Sequence, residues 1–131
     1  TSLYGSLLFS QTADLKLRLE KVLKKTYPSH KVYINKASSY LEIDWVLSGA
    51  ELGYQIPYMK VKILYRYLAD NDPNYVAHHH FIEVSCENNE TCFLDKRGKA
   101  TDLSAVSFGF ISKDDAYTFI DLFDQLKKQS R

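Results

Sequence analysis

Apolar residues recur along this chain in two different periods. Leu15, Leu19, Val22 and Leu23 stand at i, i+4, i+7 and i+8, which places them on one face of a helix. Lys16, Arg18, Glu20, Lys21, Lys24 and Lys25 fill the opposite face. Thr12 or Asp14 is placed to cap the start, since short oxygen side chains accept bonds from free helical N–H groups. Pro28 ends the helix, because it lacks an N–H and biases Tyr27 away from helical angles. Ahead of this helix, Leu3 to Phe9 is apolar enough to be a strand.

After Pro28 the period becomes two. Lys31 to Lys36 reads as a strand with Val32 and Ile34 on one face. Ala37-Ser38-Ser39 supplies a turn into Tyr40 to Val46, where Leu41, Ile43 and Trp45 point inward and Glu42 and Asp44 outward. A polar loop with Gly49, Gly53 and Pro57 is expected next, then an alternating strand from Met59 to Leu68. Asp70 to Asn74 is a turn cluster. His78 to Cys86 reads as a strand that turns at Glu87 to Glu90 into Thr91 to Asp95, a hairpin. Val106, Phe108 and Phe110 mark a last strand. Ser112 caps a closing helix with Asp115 three residues on, and Ala116, Phe119, Ile120 and Phe123 follow at helical spacing. The expectation is an α+β domain spanning residues 1–131. Its antiparallel sheet has about five or six strands, with two helices packed on one face, in the order strand, helix, strands, helix.

Composition narrows the classes of function. The chain has 131 residues, of which 45% are hydrophobic; this suits one packed core and excludes wholesale disorder. No run reaches the ~18–20 apolar residues of a membrane span. The net charge of +1 argues against a general nucleic-acid binder, which needs positive excess to displace counterions. Cys86 and Cys92 are too few for a disulfide scaffold, and a reduced intracellular setting is expected. They flank a turn and face each other if it is a hairpin; the commoner fate of such residues is to serve as small core hydrophobes. Asn89-Glu90-Thr91 matches the glycosylation sequon, which matters only in a secreted protein.

Catalytic constellations are not found. In the His78-His79-His80 run, His78 and His80 share one side of a strand, but two imidazoles do not make a metal site without further ligands. The scattered glycines form no phosphate loop, and no spacing marks paired acid/base carboxylates. Tyr33, Trp45, Tyr65 and Tyr67 resemble a base-stacking platform, although an alternating aromatic stripe is more often core. No catalytic residue, metal or cofactor is expected. Charge is the feature that stands out. From Asp14 to Lys36 seven Lys/Arg face two acidic residues, a balance of +5, so the remainder sums to −4. That is a polarised surface suited to an anionic leaflet, or else a solvated helix face with ordinary ion pairs.

The element order and several strings resemble the kinase-associated-1 domain, an α+β module at the C-terminus of many Ser/Thr kinases. The strings are Leu19-Glu20-Lys21-Val22-Leu23-Lys24-Lys25, Tyr40 to Trp45, Met59 to Tyr65, and Tyr117 to Leu126. The resemblance implies a non-catalytic module that binds anionic, phosphatidylserine-type phospholipids. It would target an attached kinase to the inner face of the plasma membrane from the cytoplasm, with autoinhibition of that kinase domain as a further role. The family does not fix the contact positions, so charge selects them. Lys21, Lys24, Lys25 and Lys31 form one group, and Lys60, Lys62, Lys96, Arg97 and Lys99 a second. The alternatives are a protein-docking domain like the subunit-binding segment of AMP-activated kinases, recognisable by an exposed apolar patch, and a pleckstrin-homology-like domain.

Overall fold

The computed structural model describes residues 3–68 and 79–129, with side chains from residue 11 onward. The chain opens with a helix, α1 (Leu3–Thr26). The strand expected over Leu3 to Phe9 is therefore the first two turns of that helix. That stretch contains three leucines, no β-branched residue and no proline, so it suits a helical backbone at least as well as a pleated one. Thr12 and Asp14 lie inside the helix instead of capping it, and Asp14 pairs with Arg18 one turn on, 3.7 Å away. Leu15, Leu19, Val22 and Leu23 are buried as their spacing requires, and the helix ends two residues before Pro28.

Strands β1 (Lys31–Asn35), β2 (Tyr40–Leu47) and β3 (Ala50–Pro57) form a meander. The β1–β2 turn is held by the Asn35 side chain, which accepts from the Ser38 amide at 3.1 Å. The polar loop expected around Gly49, Gly53 and Pro57 is instead β3. Ser48 and Gly49 both have positive φ, 51° and 82°, the conformation of a two-residue hairpin turn. Gly53 is no loop breaker: a Cβ there would collide with the Asp44 carboxylate on the neighbouring strand. Glycine thus lets one strand carry a carboxylate over the other.

The rest of the chain builds a second sheet. β4 (Val61–Tyr67), β5 (His80–Cys86) and β7 (Ala105–Phe110) pair antiparallel in the order β4-β5-β7. Between the last two lie a short 3-10 turn (Glu87–Asn89) and the two-residue β6 (Leu94–Asp95), which joins the free side of β3. The expected hairpin at Glu87 to Glu90 is therefore a crossover from one sheet to the other. Cys86 and Cys92 form a disulfide within it, with Cα atoms 5.8 Å apart, so they are cross-linked rather than free core residues. The expected turn over Asp70 to Asn74 and the His78 end of β5 lie outside the described residues.

The closing helix, α2 (Lys113–Gln129), begins where the Ser112 hydroxyl accepts from the Asp115 amide at 3.1 Å, a side-chain cap. Its buried residues Ala116, Phe119, Leu122, Phe123 and Leu126 pack on the β4-β5-β7 sheet, with the Phe119 ring 5.9 and 5.7 Å from those of Phe108 and Phe110. α1 packs against α2, β1 and β7. One continuous core results, drawing on both helices and both sheets. The class is α+β, as expected, but the strands divide into two antiparallel sheets rather than one.

Candidate ligand-binding cleft

Three distant segments meet at one open hollow. The turn after α1 contributes Tyr27, Pro28, Ser29 and His30; the β2–β3 hairpin contributes Trp45 to Leu47 and Tyr54; the approach to β7 and the strand itself contribute Leu103 and Ala105 to Phe108. The hollow has a volume of about 810 Å³, within the range of ligand sites. None of its lining side chains is a Lys, Arg, Asp or Glu.

His30 organises the wall. It is 7% exposed and stacks on Trp45, with centroids 5.2 Å apart and planes 4° from parallel. Tyr27 meets the same imidazole at 4.7 Å, and Tyr54 meets Trp45 at 5.4 Å. The turn is fixed by the His30 amide donating to Tyr27 O at 3.1 Å. Ser29 ties it to β2: its hydroxyl donates to Val46 O at 3.2 Å. Burial holds the imidazole pKa down at about 4 and outweighs the Tyr27 backbone, which acts the other way, so the ring is neutral at physiological pH and the cleft uncharged. The Nδ1 atom of His30 has no hydrogen-bond partner among the described residues. The rim carries exposed Val46 and Leu47, the latter 62% exposed.

The lysines chosen from charge fall into separate places, and several are already neutralised. Lys24 pairs with Glu20 at 3.1 Å and Lys25 with Asp115 at 3.1 Å. Burial raises the Glu20 pKa, but the Val32 amide and the neighbouring lysines outweigh it, so the carboxyl stays below its ordinary value. Lys21, Lys24 and Lys25 do share one shallow hollow with Glu20 and Leu17, and Leu17 is 60% exposed. Lys96 lies 2.9 Å from Glu51 and 3.9 Å from Asp44; the Glu51 contact raises the lysine's pKa and lowers that of the glutamate. The charge of Lys31 also helps to lower the pKa of Glu51. Burial raises the pKa of Glu42 and Asp44 beside them, so this corner is mixed in charge rather than basic. Arg97 and Lys99 are exposed in the turn after β6, where both amides donate to Asp95 Oδ1. Lys60 and Lys62 are exposed at the start of β4 in the other sheet.

The other sequence candidates are accounted for by local packing. His80 Nδ1 lies 2.7 Å from the Tyr65 hydroxyl and His79 Nδ1 2.9 Å from Leu68 O; His78 lies outside the described residues. Among the described residues no three His, Cys, Asp or Glu are grouped to hold a metal ion. The four aromatics are not a buried stripe: Tyr33 and Tyr67 are exposed, and Tyr65 and Trp45 half-buried. Nor do they form one platform, since Trp45 belongs to the cleft and Tyr65 and Tyr67 to β4. No helix among the described residues is long and apolar enough to cross a membrane. The cleft itself escaped the sequence pattern, because no local spacing marks His30; its nearness to Trp45 follows only from the β1–β2 pairing.

No family model, curated protein or solved structure matches the chain.

Proposed function

We propose that this domain is a non-catalytic binding module and that its ligand occupies the cleft between the β2–β3 hairpin and β7. One observation carries the reading: an uncharged hollow of about 810 Å³ whose wall is a His30–Trp45 stack and whose rim is exposed Val46 and Leu47. Apolar lining with few polar groups is what small-ligand and peptide sites have in common, and exposed apolar rims accompany interaction surfaces. This is the protein-docking alternative raised by the sequence. The test is a titration with indole as the apolar probe, followed by amide resonances. Shifts concentrated at His30, Trp45, Tyr54 and residues 103–108, and weakened by Leu47→Glu, are the expected result. Shifts scattered over the surface, or unchanged by L47E, overturn it.

The α1 face gives specific support to a second reading, binding to anionic phospholipid, in line with the kinase-associated-1 resemblance. Lys21, Lys24 and Lys25 surround exposed Leu17, the mixture of cationic and apolar side chains with which a peripheral helix meets a leaflet. Vesicles of phosphatidylserine would then bind the domain while phosphatidylcholine vesicles would not. K24E/K25E would abolish that binding. Equal binding to both vesicle types, or to neither at low salt, removes this reading.

A further inference from the structure

A sheet edge is a row of unpaired amides and carbonyls, and proteins ordinarily blunt it. Among the described residues, three of the four edges are blunted. The Val32 amide on the outer side of β1 donates to Glu20 Oε2 of α1 at 3.0 Å. On β4, Lys127 Nζ donates to Val61 O at 2.8 Å, and Lys62 and Arg66 stand exposed along the strand. β6 is only two residues long. The fourth edge, β7, has the sequence Ala-Val-Ser-Phe-Gly-Phe, with no charge and no proline.

The ladder shows which groups of β7 point outward. The Cys86 amide donates to Ser104 O at 2.8 Å, which makes that pair a hydrogen-bonded one. Alternation then makes Val84–Val106 and Ile82–Phe108 hydrogen-bonded too. Ala105, Ser107 and Gly109 consequently direct their N–H and C=O groups away from β5. Gly109 bears this out: its amide donates to the Tyr27 hydroxyl at 3.1 Å. Tyr27 thereby closes one end of the edge. Among the described residues the outward groups of Ala105 and Ser107 have no backbone partner, and both residues line the cleft together with Trp45.

We infer that the occupant of the cleft is an extended, uncharged polypeptide segment that adds as a strand to the Ala105–Ser107 edge and seats an apolar side chain against the His30–Trp45 wall. This rests on the cleft being the binding site and goes further by naming the partner's chemistry. Main-chain groups open within an apolar hollow match a peptide backbone, which presents the complementary donors and acceptors at strand spacing, whereas a purely apolar ligand leaves them unsatisfied. The absence of charged side chains in the lining selects against a charged segment, whose ions would lose hydration without gaining a partner. The edge between Leu103 and the Tyr27 stop accommodates about four to six residues at roughly 3.3 Å each.

The test uses a library of capped, uncharged hexapeptides with apolar residues at alternate positions, screened by Trp45 fluorescence. The best binder is then remade with N-methylated amides on the face that pairs. Strand addition predicts slowed hydrogen exchange at Ala105 and Ser107, at least a tenfold loss of affinity on N-methylation, and a similar loss in Ser107→Pro. Ser107→Ala, which keeps the amide, binds as the parent does. Should S107P fail to fold, the N-methylated peptide tests the same bonds on the unaltered protein. Equal affinity of the methylated and parent peptides overturns strand addition while leaving the cleft as the site. Strand addition is equally overturned if no peptide binds yet indole still shifts the cleft resonances. If neither peptide nor indole binds, the cleft reading falls with it. Concentration-dependent protection of Ala105 and Ser107 without peptide makes the occupant a second copy of the chain and overturns the inference.

Discussion

The basic face of α1 and the cleft beside β7 are opposite kinds of surface. The first is conspicuous along the chain, with its +5 balance between Asp14 and Lys36, yet in space part of that charge is cancelled. Lys24 meets Glu20, and Lys25 crosses to Asp115 on α2. The second carries no charge and gives no signal in a linear reading, yet it combines buried and half-buried aromatic rings with open backbone groups. A run of charge records what side chains one segment owns. A site records what distant segments leave unsatisfied once they meet, and here the second quantity distinguishes the cleft.

If that contrast is sound, perturbing the cleft wall affects the protein far more than perturbing the basic face. The largest effect is expected at His30. Its folded pKa lies at about 4 against about 6.5 in an unfolded chain. Above pH 6.5 both states are neutral and the fold keeps its full stability. As pH falls from 6.5 to 4, only the unfolded chain takes up the proton. Stability then drops by up to about 1.4 kcal/mol per pH unit, about 3 kcal/mol in all. Urea unfolding across that window reads the loss, and His30→Phe should flatten it; identical profiles for both proteins would contradict the assignment.

Next comes the crossover that leads the chain from β5 toward the cleft. Replacing both Cys86 and Cys92 by serine removes a short covalent loop and is expected to cost about 2 kcal/mol, the size of the chain-entropy effect for so small a ring. Equal thermal midpoints with and without reductant would show that the cross-link is not formed in solution. Gly53→Ala, in the strand that supplies Tyr54, forces its methyl group against the Asp44 carboxylate. The side chain can rotate away, so roughly 1–2 kcal/mol is expected, at the low end of overpacking costs. The smallest change is expected from Lys24→Ala, which breaks an i,i+4 pair between an exposed lysine and a half-buried Glu20 that keeps Lys16 and the Val32 amide as partners, and should cost less than about 1 kcal/mol. A loss as large as that of the cleft variants would make the basic face structural and upset the comparison.

Much of the fold can be traced in the chain. The core face of α1, the alternation in β1, β2 and β4, the Ser112 cap and the apolar stripe of α2 follow from residue spacing, because periods of 3.6 and two are local properties. Leu3 to Phe9 and the Gly49 to Pro57 segment misled for related reasons. An apolar heptad without β-branching is compatible with either period. In β3 the alternation of Leu52, Tyr54 and Ile56 was present, but the glycine between them is explained only by a carboxylate on the next strand.

The sequence by itself determined the α+β class, where most elements run, and the core faces of the two helices, while Tyr58 and Phe93 entered the core without a signal in its pattern. It also determined that charge is segregated along the chain, +5 from Asp14 to Lys36 against −4 elsewhere. Tertiary structure decided the rest: the division into two sheets, the Cys86–Cys92 cross-link, the pairing of Lys25 and Lys96 with acidic residues far along the chain, and the joining of His30, Trp45 and Ser107 around one hollow. The physical reason is range. Periodicity and capping act over a few residues, whereas charge cancellation and an open strand edge depend on which segments come together, which the apolar core as a whole selects.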